Sequence, residues 1–316
     1  MNTREAPVSG KQRGVALVTA LLVVSLATIV AVAMATRLQV DVRRTGNLLH
    51  GEQAYAYALA AESWAEVILR RDAEDSKIDT LGENWATALP PIAVEGGFVS
   101  GRIEDLQGRF NLNNLVGADG KPSVPDLEYF KRLLVLLEVE PGLATALLDW
   151  IDADINATLP DGAEDDIYLL EDPPYRAANR PLVSTSELRL VKGFSPEIIA
   201  LLAPFITALP EPTALNINTA SPLVLQALHA ELATMDAEQI IEARGEDGFP
   251  ELEAFLALDA LAGLQLDVDV DIKSAWFSVL TDVRIGRGQA QLESRLQRTG
   301  NVLTVGYRVR TRRLLP

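Results

Sequence analysis

The longest feature of the hydrophobic pattern lies near the start of the chain and is apolar on every face. From Gly14 to Thr36 the sequence GVALVTALLVVSLATIVAVAMAT runs for 23 residues without a charge. As a helix it would be roughly 35 Å long, enough to cross a hydrocarbon core of about 30 Å with some tilt. A helix buried in a soluble core would not normally be apolar all round for this length. A cleaved secretory signal has a shorter apolar core, although Ala31, Ala33 and Ala35 alternate near the end as such a cleavage site would. A membrane span over 15–36 is the reading that fits best. Arg4, Lys11 and Arg13 precede it, which predicts that the first residues stay cytoplasmic and that everything after Arg37 lies across the membrane.

Beyond the span the pattern becomes amphipathic without a linker. Leu38, Val42, Leu49, Tyr55, Leu59, Trp64 and Ile68 recur at roughly helical spacing, and AYAYALAAESWAEV is rich in good helix formers. Gly46 and Gly51 weaken the helix locally. One long helix is expected, leaving the membrane and packing its outer half on a domain. Short strand-like pieces follow in 94–110. The chain end reads as three strands: 274–285, 289–298 with Ala290, Leu292 and Leu296 alternating, and 302–310 with Leu303, Val305, Tyr307 and Val309 alternating. Gly286–Gly288 and Gly300–Asn301 are turn signals that join them as hairpins. Between these β pieces, residues 112–272 carry helical periods: PDLEYFKRLLVLLEV, PGLATALLDWI, a short piece from Ser186, SPEIIALLAPFI, SPLVLQALHAEL, AEQIIEAR with Asp236 as its cap, and ELEAFLAL. Ser-Pro at 195–196 and 221–222 is a start signal, with Ser as N-cap and Pro at the first helical position. The fold class expected is α+β, an antiparallel sheet packed on a long helix and interrupted by a large all-α insertion. Its parts are 1–14, 15–36, 37–111, the insertion 112–272 (about 112–210 and 211–272), and 273–316.

Charge narrows the chemistry. Acids outnumber bases 44 to 28, giving a net charge of −16 over 316 residues. Such a surface repels phosphate backbones and suits cations. The chain has no cysteine, so thiolate metal sites and cysteine nucleophiles are excluded. His50 and His229 are its two histidines, and neither stands in a catalytic context. No G-x-S-x-G or Walker A pattern is present, so nothing points to an enzyme.

The acids concentrate in one place. Residues 149–172, DWIDADINATLPDGAEDDIYLLED, hold nine acids and neither lysine nor arginine. Such density repels itself, and a divalent cation would relieve it. Asp152 and Asp154, followed by the turn residues Asn156, Pro160, Asp161 and Gly162, suggest a loop wrapped around a cation. Calcium suits the forgiving geometry of 6–8 oxygen ligands. The spacing is not that of an EF-hand, and a solvated acidic loop is the plainer alternative. Arg176 could pair with these acids and Asn179 could offer a carbonyl.

Two resemblances join these parts. Arg13-Gly14 before VALVTALLVV and a long helix resembles a type IV pilin or type II secretion pseudopilin. There the prepilin peptidase cuts after the glycine, which implies Gly14 and Val15 as the processing pair. Most of that family carry Glu at mature position five; here it is Thr19, which needs no partner amine in the bilayer and marks a subunit able to sit at the filament's end. The words DLQGRFNLNNL, DWIDAD, GAEDDIYL, PPYRAANRPLVSTSELRLVKGFS and LNINTASPLVLQAL, in order, resemble the K-type minor pseudopilins, the general secretion protein K family. The resemblance implies a pilin-like fold with an inserted helical domain, single-pass anchoring in the bacterial inner membrane, and a folded part in the periplasm. It also implies calcium held among Asp152, Asp154, Glu164, Asp165 and Asp166. Its partners would be the I- and J-type minor pseudopilins at the pseudopilus tip, with the secretin or exported protein beyond them. The rival reading is a DNA-uptake pilin, because LNINTASPLVLQAL with EQIIEAR resembles a helix-hairpin-helix module. Its hairpin, near Leu228–Met235, has no glycine and offers Glu231, so close approach to a phosphate is not expected.

Overall fold

A single helix, α1, runs from Arg13 to Asp75, 63 residues in all. The computed structural model describes residues 13–314, so most of the basic leader lies outside the described residues. Residues 14–45 of α1 are exposed throughout, as a segment awaiting lipid would be. Burial begins at Gly51 and continues at Ala54, Ala58, Glu62, Ala65 and Leu69, a stripe at helical spacing. This is not the face expected from the large apolar residues: Leu38, Val42, Leu49 and Trp64 stay exposed. Small residues face the sheet because the sheet comes very close. A Cβ placed on Gly288 would meet the amide nitrogen of Gly51 at 2.7 Å.

Five strands form that sheet: β1 (Leu89–Val94), β2 (Gly97–Asp105), β7 (Trp276–Ile285), β8 (Gly288–Thr299) and β9 (Val302–Leu314), in the order β1-β2-β7-β8-β9. Every pairing is antiparallel. Val99, Val283, Ile285, Ala290 and Leu292 pack on the membrane-proximal turns at Ala54 and Ala58. Ile103, Phe277, Val279 and Leu296 pack on Ala65, Leu69 and Trp85 further along. Glu62 is buried between the two clusters, where Ser294 and Arg308 both bond its carboxylate. The expected alternation in the last strand is broken. Arg295 pairs with Tyr307 and Leu296 with Val305, so Gly306 bulges out. Leu303 and Val305 therefore face the helix, while Tyr307 turns to the other side and lies under the Arg295 guanidinium.

The chain leaves the sheet at Asp105 and returns at Trp276, and these neighbouring ends are closed by a hydrogen bond from the Leu106 amide to the Trp276 carbonyl, 3.0 Å. Between them lie β3 (Phe110–Asn111), α2 (Val124–Leu136), α3 (Leu143–Ile151), α4 (Asp165–Tyr168), α5 (Pro196–Leu202), β4 (Ile206–Thr207), β5 (Leu215–Asn216), α6 (Pro222–Gln226), α7 (Thr234–Arg244), α8 (Leu252–Leu256) and β6 (Val270–Asp271). One apolar cluster threads the whole insertion, from Phe110 through Phe130, Leu147, Leu188 and Val224 to Ile272. The fold is the expected pilin-like helix and sheet with an inserted helical region. Some starts differ locally. Asp236 sits inside α7, where its carboxylate accepts the Ala233 amide at 2.8 Å, and the piece expected from Ser186 is a 3-10 turn that Ser184 caps.

The asparagines of NLNNL and LNIN hold the insertion together. Asn113 bonds the carbonyls of Leu182 and Leu209 and accepts the Leu182 amide; Asn218 brackets both backbone groups of Phe249. Asn216 reaches the base of the sheet, giving its amide to Asp79 O, Asp105 Oδ2 and Ser274 Oγ. Asp105 is buried there and accepts further bonds from Thr219 Oγ1 at 2.5 Å, Ser274 Oγ at 2.6 Å and the Gln107 amide at 2.8 Å. Burial raises its carboxyl while these donors lower it. The insertion is thus bolted to the end of the sheet farthest from the apolar span.

Candidate metal centre

The acidic segment folds back on itself after α3. Asp149, in the last turn, is buried and gathers the two arms of the loop: it accepts the Thr158 amide at 3.0 Å and the Ala163 amide at 2.8 Å. Gly162 allows this, since a Cβ there would meet Asp149 Oδ2 at 2.2 Å. Asp152 ends α3 and Glu164 precedes α4, so the turn brings both to one spot with Asp154 between them. One carboxylate oxygen from each of Asp152, Asp154 and Glu164 lies within 4.8 Å of the others.

Asp154 Oδ1 is bonded by Asn156, but its neighbours are starved of partners. Asp152 Oδ1 and both oxygens of Glu164 are buried without a hydrogen bond in the protein. So is Asn179 Oδ1, whose Nδ2 donates to the Asp154 carbonyl at 2.9 Å and so fixes the side chain beside the group. Burial, followed by the neighbouring acids, raises Asp152 to about 6 and Glu164 to about 7. A buried acceptor with no donor is costly, and a cation answers all four atoms at once. The donor set is oxygen throughout, which fits a hard divalent cation.

Not every acid expected at the site joins it. Asp165 instead pairs with Arg176 Nη1 at 3.1 Å and accepts the Ala177 amide. Asp166 is exposed on the first turn of α4 and outside the group. Asn179, which the sequence already offered as a carbonyl ligand, does join the group. A second acidic group, Asp72, Asp79 and Glu83, has different chemistry. Arg298 spans it, meeting Asp72 at 3.0 Å and Asp79 at 2.5 Å, while Glu83 accepts the Thr80 amide and Trp85 Nε1. Its charge is compensated from within.

The other singled-out positions are plain in the structure. Gly14 and Val15 lie exposed in the first turns of α1. Thr19 Oγ1 donates to the carbonyls of Val15 and Ala16, both at 3.0 Å, so the hydroxyl is satisfied within its own helix. At the hairpin after α6, the Glu231 amide is taken by His229 Nδ1 and the Leu232 amide by the His229 carbonyl. The carbonyls of Ala227 and Leu228 are held by Arg132. The two amides named there are engaged, which is poor ground for gripping a phosphate.

Models of the type II secretion system protein K family match residues 108–211 and 215–279. A type II secretion system protein K from Pseudomonas aeruginosa is 43% identical over 299 residues, covering 91% of this chain and 89% of its own. The chain belongs to the type II secretion protein K family. Relatives from Aeromonas hydrophila and Klebsiella pneumoniae are 37% and 36% identical, with 93% and 96% of their own lengths covered. Among solved structures, the crystal structure of the GspK-GspI-GspJ complex from enterotoxigenic Escherichia coli matches with a TM-score of 0.77 at 26% identity, covering 85% of this chain and 99% of that one. The chain is therefore a minor pseudopilin of type II secretion. One helix among the described residues, Gly14–Asp75, is long and apolar enough to cross a membrane, which fits a single-pass inner-membrane protein.

Proposed function

We propose that this minor pseudopilin caps the tip of the secretion pseudopilus, anchored in the inner membrane by α1, with its sheet and insertion in the periplasm. Its I- and J-type counterparts are the neighbours at that tip; the relative solved from Escherichia coli is found in a complex with GspI and GspJ. The observation that carries the reading is where the insertion sits. It leaves the sheet between β2 and β7 at the end beyond Leu69, away from the span, where a further subunit would have to stack. Thr19 agrees with this, because its hydroxyl asks nothing of a neighbour. The role is structural and not catalytic. Calcium is the ion that Asp152, Asp154, Glu164 and the Asn179 carbonyl would hold. When bound, it supplies the positive charge that lets those carboxylates stay ionised together. Antibody labelling of isolated pseudopili tests the placement: label at one end supports it, and label along the whole length refutes it. Titrating metal-free protein with calcium and then magnesium tests the ion, since calcium should bind and magnesium compete poorly.

A further inference from the structure

We propose that the two loops meeting at the carboxylate group form a docking surface for a protein segment that is apolar and basic. This rests on the reading above only in that the bound ion holds the loops in place. Among the described residues, the three most exposed large apolar side chains are Leu159 at 86%, Leu170 at 84% and Ile155 at 73%. All three belong to the acidic segment. Even in the bare apolar span the highest values are 67%, at Leu22 and Met34. Single apolar residues on a surface need no explanation, but three within one short segment do.

The loops that carry them are held from beneath. The Asn156 amide bonds Asp154 Oδ1 at 2.7 Å, next to Ile155. The amides of Thr158 and Ala163, on either side of Leu159, are fixed to Asp149. The Leu170 amide bonds the Ile167 carbonyl at 3.1 Å, and the Tyr175 amide bonds Tyr168 O at 3.2 Å, closing the second loop over buried Tyr168 and Trp150. So the apolar tips are presented by ordered backbone.

The charge beside each tip selects the partner. Asp161 stands two residues after Leu159, Glu171 and Asp172 directly follow Leu170, and Asp166 lies four residues before it; all four are exposed, and none is ion-paired within the described residues. The nearby Arg176 is committed to Asp165. A partner that covers either tip meets exposed acids beside it, so it must bring lysine or arginine beside its apolar side chains. A second copy of this chain would bring the same acids and be repelled. An anionic bilayer would be repelled likewise.

The test uses the full chain in secreting cells that lack their own copy. A photo-crosslinking amino acid replaces Leu159 or Leu170, and the adduct is sequenced by mass spectrometry. The expected adduct is a peptide of another protein with apolar residues and net positive charge. Neutralising Asp161, Asp166, Glu171 and Asp172 to Asn or Gln should cut its yield about tenfold, as the loss of four weak exposed ion pairs implies. Leu159→Ser with Leu170→Ser should lower export while leaving the melting temperature and its calcium response unchanged. Adducts to lipid, to a second copy or to an acidic peptide overturn the proposal. So does an adduct yield indifferent to neutralisation, no adduct, or undiminished export. Failure of the calcium reading shows separately, as melting that ignores EGTA, and failure of the tip reading as label along the filament.

Discussion

Glu164→Gln should change stability in opposite directions with and without calcium. In the metal-free protein both Glu164 oxygens are buried without a partner. Burial first, then Asp149, Asp152, Asp154 and Asp165, hold the carboxyl at about 7 against an ordinary 4.5. A carboxyl whose folded pKa lies above its unfolded one binds its proton more tightly in the fold. Its favourable contribution is complete below the unfolded value and is lost as pH rises through about 7. At pH 8 the ionised group therefore costs the fold up to about 3 kcal/mol, taking about 1.4 kcal/mol per tenfold in proton affinity. Solvent beside the loop screens part of that, leaving about 1–2 kcal/mol. Glutamine removes the charge. The variant in EGTA should melt roughly 2–6 °C above wild type at pH 8 and close to it at pH 5, where Glu164 is already protonated. With calcium the order reverses. Wild type gains about 2.7 kcal/mol at a hundredfold excess of ion over its dissociation constant, and the variant, having lost an anionic ligand, gains far less. Scanning calorimetry of the full chain in detergent, at both pH values with EGTA or calcium, gives four pairs of curves. The reasoning fails if glutamine lowers the melting temperature in EGTA at pH 8, or if metal-free wild type melts alike at pH 5 and 8.

Intact-mass analysis of protein from a host with prepilin peptidase should find a chain starting at Val15, N-methylated as in pilins; a start near residue 36 would support a cleaved signal instead. Asp105→Ala strips the acceptor from Thr219, Ser274, Asn216 and the Gln107 amide, and should cost about 3–5 kcal/mol in urea unfolding; a loss below about 1 kcal/mol would mean that the junction does not depend on it. Gly288→Ala puts a methyl 2.6 Å from the His50 carbonyl carbon and 2.7 Å from the Gly51 nitrogen, so about 1–3 kcal/mol should be lost as α1 is pushed off the sheet; an unchanged unfolding midpoint would show that the helix does not pack this closely.

The membrane span, the three C-terminal strands and most of the inserted helices are local signals, and the sequence carries them openly. Periodicity and turn chemistry act within a few residues, so β7, β8 and β9 fall within four residues of their expected limits. The same local logic misjudged the buried face of α1. Large apolar residues advertise burial, but what packs against a sheet depends on how near the sheet comes. Here the approach of Gly288 reserves the contact for Gly51, Ala54 and Ala58. The bulge at Gly306 was equally hidden, because it arises from pairing with β8.

At the candidate metal centre the acidic segment was legible as composition: nine acids without a base within 149–172 announce strong repulsion wherever they fold. Sorting those acids needed the fold. Asp149 spends its oxygens on the amides of Thr158 and Ala163, and Asp165 spends its own on Arg176 and Ala177. Asp152 Oδ1 and both Glu164 oxygens are left buried with nothing to bond, joined by the Asn179 carbonyl from beyond the segment. Charge and periodicity are properties of residues in order along a chain, so the sequence alone determined the span, the helices and strands, and where negative charge would gather. Which carboxylate finds a hydrogen-bond donor depends on backbone amides brought from nine and fourteen residues away, and only the tertiary structure decided that.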